Sequence, residues 1–195
     1  MSKTPIFEYH PHQSSISLEL PNGEERTIEI NPGWAFGTGS HVTTRLCIKA
    51  LESMFKEKRA DKVLDVGCGS GVLVICSVAL GANKALAVDI ESTSVGEAKI
   101  NVETNGFSSN IQVLCGSIDV ANGEFDLIVA NILADSVLSI SEELRSKLKP
   151  DGLLLISGIH DTRKEEVINR FRELGLLLDK ESSEDGWVAL LFERG

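Results

Sequence analysis

The amino-acid sequence predicts an α/β protein built on a mixed, mostly parallel sheet with helices on both faces. Short continuous apolar runs alternate along the chain with longer stretches of helical periodicity, which is typical of strands buried between two helical layers. A glycine-rich turn follows one of these runs at residues 67–71. The last two runs are joined by a short polar segment, which predicts that these two strands are antiparallel.

Length and composition are those of an ordinary globular domain. The chain has 195 residues, of which 42% are hydrophobic and 25% charged, and this length is typical of one domain with a substantial core. The formal net charge of −10 disfavours direct binding of nucleic acid, because phosphates would be repelled. The four cysteines form no C-x-x-C pair, so we expect no metal site and reduced thiols. No signal peptide or membrane-spanning run is evident, and we therefore expect a cytoplasmic protein without a membrane partner.

Residues 1–31 are predicted to form a polar tail followed by a β-hairpin. Residues 1–14 are polar and contain two prolines, which is typical of an irregular tail. Apolar and polar residues alternate on both sides of the Pro-Asn-Gly sequence at residues 21–23, which has the chemistry of a hairpin turn. Residues 32–195 are predicted to form a single domain.

The domain begins with a glycine-rich loop and then alternates strands with helices. Residues 32–44 (PGWAFGTGSHVTT) hold two aromatic side chains, which must pack over something or gain from a ligand. Apolar residues at helical spacing then extend to Phe55. Gly81 and Gly106 end two later helices as C-caps. The remaining elements are predicted, in order, as a strand at 63–66, a helix at 72–80, a strand at 84–88, a helix at 92–105, strands at 111–115 and 125–130, a helix at 135–148, a strand at 153–156, a helix at 162–174, and strands at 176–178 and 187–192.

The glycine-rich turn at residues 65–71 (DVGCGSG) has the spacing D-x-G-x-G-x-G. A strand, a tight turn and a helix N-terminus together let the backbone approach a bound nucleotide closely. A dinucleotide dehydrogenase requires G-x-G-x-x-G, so here the third glycine comes one residue early. The spacing resembles instead the first motif of the S-adenosylmethionine-dependent methyltransferases. A glycine-rich turn without a ligand is the alternative at this point.

Residues just after the strands are further candidates, because ligands of such sheets bind beyond the carboxyl ends of the strands. Asp89 follows the second strand, at about the 20-residue offset of a ribose-binding acid. It is also placed to interact favourably with a helix N-terminus, and the two roles are compatible. Ser117 follows the third strand. Asn131 follows the fourth, where its amide offers one acceptor and two donors; a turn or N-cap role is the alternative.

Several segments together resemble the catalytic domain of the PrmA methyltransferase family. The A-F-G-T-G-x-H-x-T-T loop and the N-I-L-A tetrad are much more specific than the glycine motif, which a large superfamily shares. The match runs in order from about residue 28 to the end of the chain. The segments that carry the resemblance are residues 32–44, 64–71, 88–90, 129–134, 155–159 and 187–190.

The resemblance implies a Rossmann-like, seven-stranded mixed sheet and a methyltransferase catalytic domain over residues 32–195. The PrmA family methylates large-subunit ribosomal protein eleven at lysine ε-amino groups and at the N-terminal amine. The implied cofactor is S-adenosyl-L-methionine, and the implied partner is a basic ribosomal protein.

The motifs and the resemblance together suggest which residues act. Asn131 is the catalytic candidate, either accepting a hydrogen bond from the incoming amine or holding the methionine end of the cofactor. Thr38 and His41 belong to the loop expected to act as a lid, and His41 is either a base or a structural residue at a helix N-terminus. The expected cofactor-binding residues are Phe36, Gly37, Thr38, Thr44, Asp65, Gly67, Gly69, Asp89, Ile90, Ser117 and Asn131.

The chain departs from the family pattern in two places. Residues 1–31 are too few for the separate N-terminal domain that presents the ribosomal protein in this family. Two alternatives therefore stay open: a methyltransferase for another protein or small-molecule nitrogen, and a fragment that binds the cofactor but needs a separate presenting domain. Ser117, with Asp119 nearby, also stands where the family often has an acid that binds the adenine amino group.

Overall fold

The computed structural model describes residues 7–10, 13–31, 41–58 and 60–194, which form two sheets and the helices packed on them. Two single 3-10 turns, Ile118–Val120 and Asp161–Arg163, supplement the regular elements. In chain order the elements are β1 Phe7–His10, β2 Gln13–Glu19, β3 Glu25–Ile30, α1 Val42–Glu57, β4 Lys62–Val66, α2 Val72–Ala79, β5 Lys84–Asp89, α3 Ser92–Thr104, β6 Ile111–Cys115, β7 Phe125–Asn131, α4 Ala134–Ser139, α5 Ser141–Ser146, β8 Leu148–His160, α6 Lys164–Glu173, β9 Leu176–Glu184 and β10 Trp187–Arg194.

The larger sheet has seven strands in the order β6-β5-β4-β7-β8-β10-β9. The first five run parallel, and β10 is antiparallel to both of its neighbours. The predicted seven-stranded mixed sheet is therefore confirmed. The strand order reverses between β4 and β7, so the carboxyl ends of these two strands flank the crevice in which such sheets bind ligands.

Both faces of the sheet are buried, which explains why its strands read as continuous apolar runs. Along β4, Val63 belongs to the core that also holds residues of α1 and α2, whereas Leu64 belongs to the core that also holds residues of α5 and α6. The stretch from Val72 to Val78 of α2 is buried on every side. No helix in the described part of the chain is both long and apolar enough to span a membrane.

The smaller sheet confirms the predicted hairpin and corrects the predicted tail. Strands β2 and β3 pair across a turn in which Gly23 donates to the Leu20 carbonyl at 2.9 Å. The prediction of an irregular tail is wrong for residues 7–10, which form β1 and pair with β2. The F-E-Y-H sequence of these residues alternates aromatic and polar types, a strand signal that the neighbouring prolines outweighed. Ile16, Leu18, Ile28 and Ile30 join the core on the α1–α2 side of the larger sheet.

Three other boundaries differ from the sequence prediction. The predicted helix at 135–148 is two short helices, because Ile140 between them has φ −112° and ψ 16°, outside the helical region. Strand β8 continues through the predicted turn at 150–152, with a shift of its register against β7. Strand β9 reaches Glu184 because it pairs with β10 along its whole length. Its side chains beyond Leu178 are mostly exposed and polar, so hydrophobicity predicted only the first part of the strand, residues 176–178.

Candidate active site

A cavity of about 650 Å³ opens beyond the carboxyl ends of β4, β5, β6 and β7, in the crevice flanked by β4 and β7. This size is within the range of small-molecule sites. Asp65 lies behind the cavity wall, and Phe36, Gly37 and Thr38 lie outside the described residues. The predicted residues that line the cavity are His41, Thr44, Gly67, Gly69, Asp89, Ile90, Ser117 and Asn131.

The glycine-rich turn brings backbone, rather than side chains, to the cavity. Gly67, Gly69 and Gly71 have φ angles of 71°, 53° and 80°, in the left-handed region that favours glycine. The N–H groups of Gly67 and Cys68 both donate to the Val88 carbonyl, at 2.9 and 3.1 Å. This shared acceptor fixes the turn against the end of β5.

Asp65 is buried beneath the turn and is not one of the residues that line the cavity. Its side chain is 1% exposed, and its Oδ2 accepts a hydrogen bond from the Val74 N–H in the first turn of α2 at 3.1 Å. Burial raises the pKa of Asp65 to about 7, an effect that the charge of Asp89 increases and the Val74 hydrogen bond opposes. The carboxyl therefore ties the end of β4 to the beginning of α2.

Asp89 connects the turn to the end of β5. Its Oδ2 accepts from the Gly69 N–H and its Oδ1 accepts from the Glu91 N–H, both at 2.9 Å. Each carboxylate oxygen keeps a further lone pair, and the residue lines the cavity. The side chain is thus held in one orientation with acceptors available to a pair of hydroxyl groups. Ile90, next in the chain, is 71% exposed and offers an apolar surface beside them.

Asn131 stands across the cavity, at the end of β7, and pairs with Ser157 of β8. It does not cap α4, because the N-cap of that helix is Leu133. The residue after it, Ile132, passes through a slot formed by two glycines. A Cβ atom built on Gly67 would lie 2.4 Å from Ile132 Cγ2, and one built on Gly158 would lie 2.5 Å from the Ile132 carbonyl oxygen. These close approaches set the position of Asn131.

An aromatic wall completes the cavity on the side of α1. The ring of His41 lies edge-on to Trp187, with ring centroids 5.5 Å apart, and His160 packs on the same indole at 5.7 Å. His41 is the N-cap of α1, and its Nδ1 accepts from the Thr43 N–H at 3.4 Å. The structure thus gives His41 the structural role that was one of its two predicted alternatives. Trp187 and Gly158 were not among the predicted site residues. Trp187 begins the antiparallel strand β10, and Gly158 lies inside β8, which extends beyond its predicted end at residue 156.

Thr44 carries a buried hydroxyl whose partner is missing among the described residues. The side chain is 1% exposed, and its Oγ1 makes no hydrogen bond within the described ranges. A buried hydroxyl without a partner costs free energy. Because Thr44 lines the cavity, a polar group of a bound molecule can supply that partner. The free acceptors of Asp89, the turn backbone at the cavity wall and this hydroxyl together fit a nucleoside-bearing cofactor.

Comparison with known proteins shows which family the chain matches. The family model described as ribosomal protein L11 methyltransferase (PrmA) matches residues 9–195. The chain is 42% identical over 176 residues to the ribosomal protein L11 methyltransferase of an Exiguobacterium species, covering 90% of this chain and 56% of that protein. It is 36% identical over 197 residues to the ribosomal protein L11 methyltransferase of Listeria innocua, covering 96% of this chain and 62% of that protein. The chain thus spans less than two thirds of the length of either relative.

Solved structures agree with the family match. The crystal structure of ribosomal protein L11 methylase from Lactobacillus delbrueckii subsp. bulgaricus superimposes with a TM-score of 0.78 at 36% identity, covering 85% of this chain and 83% of that one. The Thermus thermophilus 16S rRNA N2 G1207 methyltransferase, in complex with AdoMet and guanosine, gives a TM-score of 0.71 at 19% identity, covering 94% of this chain and 51% of that one. At that identity the second likeness shows the fold alone.

Proposed function

The chain belongs to the ribosomal protein L11 methyltransferase (PrmA) family, and from this premise we propose that it is the catalytic part of a protein N-methyltransferase. The proposed cofactor is S-adenosylmethionine. The proposed acceptors are lysine ε-amino groups, the N-terminal α-amino group, or both, on a large-subunit ribosomal protein. The observation that carries the proposal is the facing pair at the switch point: Asp89, fixed by two backbone N–H groups, and Asn131, held across the same cavity.

The residues that would hold the cofactor follow from the groups at the cavity wall. The free lone pairs of Asp89 suit the two ribose hydroxyls, and the exposed side chain of Ile90 beside them suits the adenine ring. The turn at Gly67 and Gly69 admits the cofactor close to the backbone. The Thr44 hydroxyl suits a polar group at the methionine end. When bound, this cofactor supplies a methyl group already activated by its sulfonium charge.

The chain itself then has to position an amine and exclude water. A lysine amine has an ordinary pKa of about 10.4 and must be neutral to attack. Removal from water into a cavity walled by Ile132, Leu133 and Trp187 lowers the pKa of the amine, because burial disfavours its charged form. The Asn131 amide oxygen can accept a hydrogen bond from the neutral amine. This hydrogen bond would orient the lone pair of the amine nitrogen towards the methyl group. His41 caps α1 through Nδ1, so we assign it a structural role at the wall of the cavity.

The charge of the chain supports a basic protein as substrate. A formal net charge of −10 attracts a cationic partner and raises the rate of encounter. A ribosomal substrate places the reaction in the cytoplasm. The second candidate function is a cofactor-binding catalytic part that transfers no methyl group until a separate domain presents the substrate. The observation in its favour is that the chain covers 56% and 62% of its two curated relatives.

The test measures cofactor binding and methyl transfer separately. Calorimetric titration with S-adenosylmethionine should show binding, and incubation with ribosomal protein L11 should label the protein with methyl groups detected by mass spectrometry. Asn131→Ala should keep cofactor affinity within a few-fold and lower the transfer rate by about 100-fold, as expected when the nucleophile is misplaced. Asn83→Ala, at the opposite end of the strands, is the matched control and should leave both unchanged.

Two results would count against this assignment. Full transfer activity in Asn131→Ala would remove the amide from the mechanism. Binding of the cofactor without transfer to ribosomal protein L11 would favour the second candidate function over the first.

A further inference from the structure

One side chain of α3 joins the smaller sheet to the glycine-rich turn. Asn101 is fully buried, and its carboxamide is used at both ends. Its Oδ1 accepts from the Asn31 N–H at 2.9 Å, at the end of β3, and its Nδ2 donates to the Ser70 carbonyl at 2.9 Å. Ser70 lies inside the turn at residues 65–71, so two elements far apart in sequence share a single amide.

The turn is consequently held at two adjacent points. Asp89 binds the Gly69 N–H, and Asn101 binds the carbonyl of the next residue, Ser70. Helix α3 also packs closely against the end of the turn, since a Cβ atom on Gly71 would lie 3.1 Å from the Cβ of Ala98. Of these two polar side chains that hold the turn, Asp89 lines the cavity and Asn101 does not. Asn101 therefore contacts the turn on the side away from the cavity.

Position 101 requires an amide for a physical reason. The Ser70 carbonyl needs a donor and the Asn31 N–H needs an acceptor, and a side-chain amide supplies both in a fixed geometry. Ser70 is 2% exposed, so its carbonyl would have poor access to water if the donor were removed. Loss of the Asn101 donor takes a hydrogen bond from this poorly hydrated carbonyl, which is costly, and the turn would relax to compensate.

A second asparagine, one helical turn later, provides a natural comparison. Asn105 also binds the smaller sheet: its Oδ1 accepts from the Glu29 N–H at 3.0 Å and its Nδ2 donates to the Glu29 carbonyl at 2.7 Å. Its Nδ2 also donates to the Asn101 carbonyl within α3, at 2.8 Å. Asn105 therefore anchors the same sheet without contacting the glycine-rich turn.

We propose that Asn101 is a positioning residue for the cofactor site, which it sets by fixing the Ser70 carbonyl while tying the turn to the end of β3. This inference rests on the proposed function, since it concerns affinity for the same cofactor. It assigns the smaller sheet a part in cofactor binding, because the amide that holds the turn is itself oriented by the backbone of Asn31. The Asn105 contact attaches the sheet but leaves the turn unaffected.

The experiment compares Asn101→Ala, Asn101→Asp and Asn105→Ala with the unmodified chain. The Kd for S-adenosylmethionine is measured by calorimetric titration, and the Tm by thermal denaturation without ligand. We expect Asn101→Ala to raise the Kd by roughly tenfold or more. Asn105→Ala should keep the Kd within about twofold of that of the unmodified chain. Both substitutions should lower the Tm, because each removes hydrogen bonds to the smaller sheet. Asn101→Asp keeps an oxygen that can accept from the Asn31 N–H, but it replaces the N–H₂ donor to the Ser70 carbonyl by a second oxygen. Its Kd for the cofactor should therefore rise as in Asn101→Ala.

In the transfer assay, the KM for the cofactor should rise in both Asn101 variants while kcat at saturating cofactor stays within about threefold, as expected for lost binding that is shared by ground and transition states. A Kd in either folded Asn101 variant equal to that of Asn105→Ala would overturn the inference and leave Asn101 a purely structural residue. If the unmodified chain itself binds no cofactor, the proposed function fails, and that result is distinguishable because it precedes any comparison of variants.

Discussion

Replacing Gly158 by alanine should impair catalysis by displacing the backbone of Ile132 and, with it, Asn131. Gly158 lies in β8 with φ +80°, and its missing side chain leaves room for the backbone that follows β7. A Cβ atom at this position would lie 2.5 Å from the Ile132 carbonyl oxygen, 2.8 Å from the carbonyl carbon and 3.0 Å from the nitrogen. All three neighbours are backbone atoms, so no side chain can rotate away.

The size of the effect follows from these distances. To bring the oxygen to an ordinary contact of 3.4 Å, the backbone at Ile132 must move by roughly 0.9 Å, and Asn131 moves with it. A displacement of that order at a reacting group lowers the rate by about 100-fold. The left-handed φ costs an alanine about 1 kcal/mol, and the overpacking adds roughly 1–3 kcal/mol to the loss of stability.

Gly175→Ala separates the cost of a left-handed φ from the effect of the steric clash with Ile132. Gly175 has φ +77°, and a Cβ atom there would meet no atom within 4 Å. This control should lose only about 1 kcal/mol of unfolding free energy and keep its kcat. Urea denaturation and the methyl-transfer assay measure both variants. A kcat for Gly158→Ala equal to that of Gly175→Ala would refute the claim that the slot around Ile132 positions Asn131.

Two further substitutions test the buried polar groups of the site. Asp65→Asn should reduce the pH dependence of the free energy of unfolding. Burial raises the pKa of Asp65 to about 7, so the folded protein holds a proton that the unfolded carboxyl releases near pH 4. The free energy of unfolding of the unmodified chain therefore falls as the pH rises from about 4 to 7. Urea denaturation at pH 5 and pH 8 should show a smaller fall in the variant, and an equal fall in both proteins would assign it to another group. Thr44→Val removes a buried hydroxyl that lacks a partner in the described ranges, so the Tm without ligand should stay the same or rise while the Kd for S-adenosylmethionine increases several-fold. A lower Tm with an unchanged Kd would contradict that role for the hydroxyl.

Much of the sheet and of the ligand-facing edge was predictable because local sequence determines both. Strands covered on two faces are apolar throughout, and Asp89 and Asn131 were identifiable because they end two of those strands. The glycines at 67, 69 and 71 revealed the turn because only glycine adopts their φ angles without strain. These signals need no knowledge of what lies nearby in space.

The remaining features depend on neighbours that are distant in the sequence. Only the apolar beginning of β9, residues 176–178, was identifiable from sequence, and its polar continuation to Glu184 became evident through its pairing with β10. Gly158 is an unremarkable strand glycine until Ile132 is seen against it, 26 positions earlier in the sequence. Asn101 looks like a polar residue of an amphipathic helix, and its two partners lie 70 and 31 positions away in the chain. Such contacts depend on the packing of whole elements, and no periodic pattern in the amino-acid sequence predicts them.

The position of Trp187 gives the protein a built-in optical reporter. The indole forms part of the cavity wall and makes edge-on contacts with the rings of His41 and His160, so filling of the cavity should change the polarity and the quenching around it. The sequence contains one other tryptophan, Trp34. In a Trp34→Phe background the tryptophan fluorescence would come from Trp187 alone, and the occupancy of the cavity could be followed in real time without a label.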